Sequence, residues 1–395
     1  MVKSSPVKTI ILFISLIATV VILSTVSARL WGGKPEKLPD LGSLVISQEM
    51  TLKEFGQANG LPNPSLKKIF GLQDKSDLQK PLSQYGSDAQ IKSQVTKKLA
   101  LAAEHESKNW KKILIKFSMW FALLLTVFTL FRKRNISPGK RKTALFLSVL
   151  IFGVILGADP SPMGTVKDAI HLFASTGAIF PPRMIALTVF LLLVFLANKF
   201  ICSWGCQVGT LQDLIFRLNE NESLKAVIGQ KIKIPFFISN GIRVLFLAVF
   251  TFVAFAWGTD IIEFVDPFKI FKPIHLGISG IIFVGALLVA SLFIYRPWCH
   301  LFCPFGLAGW LVEKLSLNKI SVNYETCIAC EKCITACPST VMGALLKQDK
   351  ATIPDCFSCY SCREVCPTNS IEFSTRNRTL PPAGHFDKKK PEDSA

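Results

Sequence analysis

The sequence carries little charge for its length. Only 18% of its 395 residues are charged, whereas 50% are hydrophobic, and the charges come in blocks separated by long apolar stretches. Soluble domains average about 25% charged residues, so this composition excludes a soluble fold of ordinary make-up. It predicts a membrane protein in which each helix spans the bilayer with roughly 17 to 25 residues.

Several functional motifs are also missing. The sequence has no nucleotide-binding fingerprint, phosphate loop or nucleophile constellation, which leaves substrate chemistry to another subunit. A membrane haem is usually held by two histidines in facing spans. The best candidates among the five histidines, His171 and His275, both lie outside the apolar runs, so no haem is expected.

The apolar runs predict six transmembrane helices. They cover Ile10–Ala28, Ile113–Phe131, Thr143–Ala158, Met184–Ile201, Val244–Trp257 and Leu276–Tyr295. The first run could instead be a signal peptide, because Val26, Ser27 and Ala28 resemble a small-residue cleavage site after a basic start and an apolar core.

The distribution of charge predicts the orientation. The net charge is +18, but the basic residues do not interleave with aromatic residues, so membrane lipid rather than nucleic acid is the expected partner. A short loop after the second span has six basic residues and no acidic ones: Arg132, Lys133, Arg134, Lys140, Arg141 and Lys142. The positive-inside rule makes this loop cytoplasmic, and with it both chain termini.

Residues 31–111, between the first two spans, are expected to form an extracytoplasmic helical module. Thr51 and Glu54 have the spacing of a capping box, and the segment Gly60-Leu61-Pro62 separates two short helices. Two helices around a glycine turn also occur in helix-turn-helix DNA-binding proteins, but DNA would require this segment to face the cytoplasm. An exported adaptor or docking module is the simpler interpretation.

All 12 cysteines fall into spaced motifs. Eight of them form the pattern Cys-x2-Cys-x2-Cys-x3-Cys-Pro twice, as in bacterial two-cluster ferredoxins, where the fourth cysteine of each run binds the other cluster. Zinc sites rarely use this spacing, and disulfides would be reduced in the cytoplasm. We expect two [4Fe-4S] clusters, the first bound by Cys327, Cys330, Cys333 and Cys366, and the second by Cys356, Cys359, Cys362 and Cys337.

The other four cysteines form two Cys-x3-Cys pairs, Cys202 with Cys206 and Cys299 with Cys303. Each pair follows a predicted span and has a glycine three residues after its second cysteine, so the two segments look like an internal repeat. We expect both pairs at the cytoplasmic membrane surface, where four thiolates could hold a third cluster or another metal, or cycle between thiol and disulfide. Packing of small cysteines against the span ends is the alternative.

From about Thr143 to Ile371 these motifs resemble the NapH-like membrane ferredoxins, a group that includes relatives of NosR and CcoG with paired Cys-x3-Cys-Pro motifs before a ferredoxin domain. The resemblance implies an electron conduit from quinol toward a partner redox protein, or an accessory factor for a metalloenzyme. This sequence departs from the family pattern at Gln207, where the first motif normally has proline. The order Ala174-Ser175-Thr176-Gly177-Ala178 does not match a flavin-attachment motif, so no covalent flavin is expected.

A quinone site would lie among the spans near the membrane surface. Asp260, Glu263 and Asp266 could accept its protons on the outer side. Solvated acidic residues in a loop are the ordinary alternative, and electrons released there would still have to cross the membrane to reach the cytoplasmic clusters.

The sequence therefore predicts a mainly α membrane protein of about six transmembrane helices with a small α+β two-[4Fe-4S] ferredoxin-like domain at its C-terminus. The expected segments are a first transmembrane helix or signal anchor (1–30), the module (31–111), a five-helix membrane domain (112–310), the ferredoxin domain (318–374) and a disordered polar tail (375–395). The expected function is non-catalytic electron transfer at a bacterial cytoplasmic (inner) membrane, between the quinone pool and a redox partner protein. An accessory or regulatory redox factor for metalloenzyme maturation is the alternative.

Overall fold

The computed structural model of the chain describes residues 6–31, 44–72, 74, 76–158, 161–218, 231–347 and 355–386. In these ranges the α-helices are α1 (Pro6–Trp31), α2 (Leu52–Ala58), α3 (Asn63–Phe70), α4 (Asp88–Ser107), α5 (Trp110–Arg132), α6 (Pro138–Ser148), α7 (Pro162–Thr176), α8 (Pro181–Ala197), α9 (Phe200–Trp204), α10 (Gln207–Leu218), α11 (Phe236–Trp257), α12 (Ile278–Ala290), α13 (Pro297–Leu301), α14 (Pro304–Glu313), α15 (Lys332–Ala336), α16 (Val341–Lys347) and α17 (Ser361–Glu364). The strands are β1 (Lys319–Val322) and β2 (Ile371–Ser374). A π-helical segment, Val149–Ile155, continues α6, and short 3₁₀ turns lie at Ser76–Gln79, Leu82–Tyr85, Ile262–Phe264, Pro267–Phe271 and Pro273–His275.

The mainly α fold with one small sheet is confirmed. Helices α1, α5 and α11 are long and apolar enough to cross a membrane. The predicted spans at Met184–Ile201 and Leu276–Tyr295 correspond to α8 and α12, which are apolar but have only 17 and 13 residues. The predicted span at Thr143–Ala158 is divided between α6 and the π-helical segment. Three of the six predicted spans thus reach full membrane length.

Helix α5 connects the two ends of the helix bundle. At its start, Trp110 packs against Phe180, with ring centroids 6.5 Å apart. At its end, Phe131 packs against Phe373 of β2, with centroids 4.7 Å apart. A helix of this length is about 35 Å long at 1.5 Å per residue. We call the first end, where α4 contacts α7, the module end, and the second end, next to β2, the ferredoxin end.

Residues 44–107 form the helical module around a core of their own. The predicted capping box is present: the Thr51 N–H donates to Glu54 Oε2 (2.8 Å), and the Glu54 N–H donates to Thr51 Oγ1 (3.3 Å). The chain then breaks at Gly60, whose φ is 65°, before α3. This module and the ferredoxin domain lie at opposite ends of α5.

Helix α1 is packed into the bundle. Ser24 is fully buried and Val20 belongs to the main core. Ser27 Oγ and Trp31 Nε1 both donate to the carbonyl of Ile155, at 2.8 and 2.6 Å. Ile155 ends the π-helical segment, where a change in helix pitch frees carbonyl groups from their usual partners. Helix α1 is thus held to the bundle by both apolar and polar contacts.

The ferredoxin domain is bracketed by its two strands. Strands β1 and β2 pair antiparallel, with Ile320 opposite Phe373, and both side chains are buried in the main core. The cysteine runs and their short helices lie between the strands in sequence. Beyond β2 the chain has no further helix or strand in residues 375–386, and the rest of the predicted polar tail lies outside the described residues.

Candidate iron-sulfur centre

The two ferredoxin runs share one backbone path. Ala329 and Glu331 flank Cys330 with φ of 55° and 54°, and Ser358 and Tyr360 flank Cys359 with φ of 53° and 75°. Non-glycine residues rarely adopt this left-handed conformation, which costs about 1–3 kcal/mol each and is concentrated at functional sites. Successive turns of this kind form concave sites in which backbone N–H groups face an anion. The backbone of both runs is therefore shaped for an anionic sulfide cluster.

The predicted ligands of the second cluster surround one cavity. This cavity is lined by Cys356, Cys359 and Cys362 from the second run and by Cys337 from the first. Burial raises the pKa of the Cys337 and Cys362 thiols above their ordinary value, so the bare site favours neutral thiols. Iron would supply the positive charge that ionises them. Four cysteines around one cavity are the ligand set that a [4Fe-4S] cluster requires.

The cysteines of the first run lie closer to the surface. Cys330 is exposed and its neighbour Ile328 is 62% exposed. Burial raises the pKa of Cys333 to about 11, with the nearby thiols of Cys327 and Cys330 adding to the rise. Cys366 behaves differently, because hydrogen bonds from backbone amides and from the Thr368 hydroxyl outweigh burial and lower its pKa. The surroundings of Cys366 thus favour the thiolate that binds iron.

Buried polar contacts fix the ferredoxin domain to the helix bundle. Ser203 Oγ donates to the carbonyl of Phe357, and Trp204 Nε1 donates to the carbonyl of Ser358 (3.1 Å). Both carbonyls belong to the loop between Cys356 and Cys359. Further contacts join the domain to α5 and α6: Arg363 Nη1 to the Phe131 carbonyl (2.6 Å), and Arg141 Nη1 to Glu364 (2.8 Å). The second run therefore rests directly on the first Cys-x3-Cys segment.

The four Cys-x3-Cys cysteines converge, and we call Cys202, Cys206, Cys299 and Cys303 the membrane tetrad. All four are buried, and each thiol lies within electrostatic range of the other three. The segments around the second cysteine of each pair, Cys206 and Cys303, contact the middle of α5 and α8. Trp120, near the middle of α5, donates to the carbonyl of Gly205 (3.0 Å), and Phe305 packs against Phe190 near the middle of α8.

Both segments then turn back along the bundle. After each pair a short helix, α10 or α14, runs from the middle of the bundle to the ferredoxin end. Arg217 at the end of α10 donates to Ser361 Oγ (3.2 Å), and Glu313 at the end of α14 accepts a hydrogen bond from the Cys356 N–H (2.9 Å). Sequence periodicity could not show this, since an apolar re-entrant helix resembles the end of a span.

The repeated glycine has a steric role. A Cβ atom on Gly209 would lie 2.6 Å from the carbonyl oxygen of Cys202, and one on Gly306 would lie 2.9 Å from that of Cys299. Each glycine therefore lets its helix pack against the loop that carries the first cysteine of the pair. The internal repeat inferred from the sequence is thus also a structural repeat.

Two buried arginines, which the sequence analysis missed, hold these loops. Arg296 Nη1 donates to the Cys202 carbonyl and its Nη2 pairs with Asp213 (2.6 Å). Arg243 Nη1 donates to the Gly306 carbonyl (3.1 Å) and its Nη2 pairs with Asp355 (2.9 Å). Arg243 lies inside an apolar span, and a charge in such a position is a recognisable sign of function.

Asp355 lies directly before Cys356, the first cysteine of the second ferredoxin run. It is 1% exposed and also pairs with the fully buried Lys199. Burial opposes its ionisation, but Lys199 and Arg243 outweigh burial and hold its pKa below the ordinary value. A single carboxylate thus ties the second ferredoxin run to α11 and to the residues that precede the first Cys-x3-Cys pair.

The acidic residues proposed to accept protons lie around the buried Lys167 at the module end. Lys167, 5% exposed, pairs with Asp260 (2.5 Å) and with Glu263 (3.3 Å). Glu263 also pairs with Lys269, and this pairing lowers its pKa despite burial. Asp266 differs, because burial raises its pKa to about 7. Two of the three carboxylates are therefore engaged in ion pairs, and His171 and His275 are not brought together in a described contact.

Comparison with known families agrees with this geometry. A family model described as a 4Fe-4S dicluster domain matches residues 319–367, which contain both ferredoxin runs. A second, described as a 4Fe-4S binding domain, matches residues 179–235 and 276–323, which contain the two Cys-x3-Cys pairs. No solved structure matches the chain. With the cavity described above, these matches show that the protein carries two [4Fe-4S] clusters.

Curated relatives match the same part of the chain. The protein YccM of Escherichia coli is 34% identical over 208 residues, which are 50% of this chain and 57% of YccM, so the match spans little more than half of that relative. The ferredoxin-type protein NapH of Escherichia coli is 28% identical, over 58% of this chain and 79% of NapH. NapH of Haemophilus influenzae is 29% identical, over 59% and 85%. These similarities agree with the resemblance inferred from the cysteine motifs: over somewhat more than half of its length the chain is similar to the NapH-like ferredoxin-type iron-sulfur proteins.

Proposed function

We propose that this protein relays electrons between the quinone pool and a partner redox protein at a bacterial inner membrane. An iron-sulfur electron-transfer role follows from the family. The finer proposal is supported above all by the contact between the membrane domain and the second cluster cavity. Through Ser203 and Trp204, the first Cys-x3-Cys segment hydrogen-bonds the loop that carries Cys356 and Cys359.

The order of electron carriers follows from burial. We assign Cys356, Cys359, Cys362 and Cys337 to the inner cluster, next to the membrane domain, and Cys327, Cys330, Cys333 and Cys366 to the outer cluster. The exposed Cys330 and Ile328 make the outer cluster the contact point for a soluble partner. The two sites adjoin, since Cys333 lies within electrostatic range of Cys362. Electrons from the membrane thus reach the partner through both clusters.

Charge supports a cytoplasmic ferredoxin end. The six basic residues of the loop between α5 and α6 lie at this end, where Arg134 Nη2 donates to the carbonyl of Ile371 (3.0 Å) and Arg141 pairs with Glu364. Short basic loops remain in the cytoplasm. The module would then face the opposite side of the membrane.

The direct test is spectroscopic. We would purify the protein anaerobically in detergent and record EPR spectra before and after adding a reduced quinol analogue, with dithionite as the control reductant. Quinol-dependent cluster signals are expected. Clusters that stay oxidised with quinol but reduce with dithionite would contradict the relay and favour the accessory or regulatory role.

A further inference from the structure

We propose that a cleft between α5, α8 and the start of α10 binds the headgroup of a quinone or quinol that enters from the lipid. Its walls include Lys116, Phe117, Trp120, Phe190, Gly205 and Gln207, and we call it the Gln207 cleft. The inference rests on the relay function proposed above. It deepens that function, because it locates the membrane end of the relay.

The Gln207 cleft lies inside the membrane-spanning part of α5. Lys116 and Trp120 lie about 9 and 15 Å along this helix from its start, at 1.5 Å per residue. Among the described residues that line the cleft, only Phe117 is partly exposed. On the same face of α5, Leu114 and Phe121 are exposed on the outer surface of the bundle. The cleft therefore opens beside Phe117 toward the lipid, where a quinone with its apolar tail is dissolved.

Gln207 supplies the hydrogen-bonding group that indicates a ligand. It is 2% exposed, it lines the cleft, and its Oε1 atom has no hydrogen-bond partner among the described residues. Burying a polar atom without a partner is costly. The same position of the second Cys-x3-Cys segment, the first residue of α14, is Pro304, which has no polar side-chain atom. The repeated fold thus does not require an amide here, and a ligand of the first segment would explain it.

Lys116 brings a buried cation to the same cleft. Its Nζ donates to the carbonyl of Gly157, and it lies within electrostatic range of Cys206. Ionisable residues inside a span are rare and mark substrate pathways. An ammonium group donates to the carbonyl oxygen of a quinone, whereas the hydroxyl of a quinol donates to an amide oxygen such as Gln207 Oε1. The two polar groups of the cleft therefore match the two redox forms of one ligand.

The aromatic walls distinguish a quinone site from the site of a bridging water. Phe117 and Phe190 are stacked, with ring centroids 5.9 Å apart, and Trp120 meets Phe190 edge-on at 5.5 Å. Trp120 is held in place because its Nε1 donates to the Gly205 carbonyl (3.0 Å). A buried water needs polar partners only, whereas a flat conjugated ring gains from packing against aromatic side chains. Apolar walls with a few polar groups are typical of small-molecule sites.

The Gln207 cleft adjoins the electron path. Gly205 and Gln207 flank Cys206, and Ser203 of the same segment donates to the Phe357 carbonyl in the loop of the inner cluster. Oxidation of one bound quinol to quinone breaks its two O–H bonds. One electron passes to each of the two oxidised ferredoxin clusters, and both protons are released to solvent at the module end.

Binding is the first test. A decyl-substituted benzoquinone would be titrated calorimetrically into the detergent-purified full chain and into Gln207→Pro and Gln207→Leu. Both substitutions remove the amide, and proline suits the first position of α10 as it does that of α14. Both variants should bind about tenfold more weakly, as expected for one lost hydrogen bond, with the iron content of the parent. Gln94→Leu, which removes an amide of α4 in the module, is the control and should bind like the parent. Equal affinities in all four chains would overturn the proposal.

The position of the bound ring is tested by photolabelling. A photoreactive azido derivative of the same quinone should label peptides that contain Phe117 or Gln207, and the unmodified quinone should prevent this labelling. Label confined to the turn between α11 and α12, or no label that the unmodified quinone prevents, would overturn the proposal. The second result would leave the cleft as the site of a water molecule only.

The outcomes separate the cleft from the relay. If quinol reduced the clusters of the full chain and of Gln207→Pro at equal rates, the relay function would stand and the proposed site would be overturned. If the label fell in the cleft but quinol never reduced the clusters, the site would stand and only the relay function would fail.

Discussion

At the scale of single residues, the best test of the re-entrant geometry is the repeated glycine. We predict that Gly209→Ala or Gly306→Ala destabilises the protein by about 1–3 kcal/mol, the usual cost of overpacking, because the new Cβ meets a backbone carbonyl that cannot move away. Thermal unfolding in detergent would measure this. Gly285→Ala in α12 is the matched control, since its Cβ would meet nothing within 4 Å, and it should be neutral or slightly stabilising.

Asp355 gives a second prediction at this scale. Asp355→Asn leaves Lys199 and Arg243 without their shared counter-charge in a buried site, so we expect a loss of about 3–5 kcal/mol in unfolding free energy. Asp77→Asn breaks the more exposed pair of Asp77 with Lys80 in the module, and should cost less than about 1 kcal/mol. Equal effects of the two substitutions in chemical or thermal unfolding would show that the Asp355 pairs do not support the fold.

The residues that sequence could and could not predict differ in one respect. The ferredoxin cysteines are recognisable because three ligands of each cluster lie within seven residues. Their spacing in the sequence is therefore enough to identify the site. The partners of Arg243 and Arg296 lie far away along the chain, at Asp355 and Asp213. The sequence shows only that these two arginines lie in or beside apolar runs. A charge in such a position indicates that a partner exists but does not identify it.

At the scale of elements, the turn between α11 and α12 carries a pH-dependent residue. Burial raises the pKa of Asp266 from 3.8 to about 7, so the folded state holds a proton that the unfolded chain has lost between these values. Stability should therefore fall as pH rises through this window, and the penalty is complete above pH 7.

Asp266→Asn should remove this dependence. Asparagine keeps an oxygen for the Phe268 N–H, which Asp266 Oδ1 accepts at 2.8 Å. The variant is expected to melt several degrees higher than the parent at pH 8 and to keep a smaller advantage at pH 5, where only part of the penalty has developed. Glu106→Gln, at an exposed position of α4, is the control and should leave the melting curves unchanged at both values. A variant less stable at pH 8 would contradict the assignment.

Elements were predicted with uneven success for a physical reason. Hydropathy finds α5 and α11 because a full-length span contacts apolar surroundings along its whole length. It merges α8 with α9 and α12 with the segment before α13, since re-entrant residues are as apolar as the span before them. The boundary lies at Asn198 in one case and Arg296 in the other, and both residues have positive φ, which sequence patterns do not reveal.

At the scale of the whole molecule, the two-ended arrangement can be tested in cells. We predict that alkaline phosphatase fused after Ser107 is active and that a fluorescent protein fused after Ser374 fluoresces, because these residues lie at opposite ends of the bundle. Swapping the two reporters should silence both. If only one of the two reporters were active in the first pair of fusions, both fusion points would lie on the same side of the membrane. That result would contradict the spanning arrangement of α5.

The contacts of Arg363, Arg141, Ser203 and Trp204 with the bundle have a consequence for how the molecule works. Many redox proteins carry their cofactor on a tethered head that swings between donor and acceptor, so that turnover depends on linker length and solvent viscosity. Here these contacts fix the ferredoxin domain to the helix bundle. The distances for electron transfer inside the protein stay constant. Diffusion governs only the arrival and departure of the electron donor and acceptor. We therefore expect turnover to be insensitive to motion of the ferredoxin domain relative to the bundle.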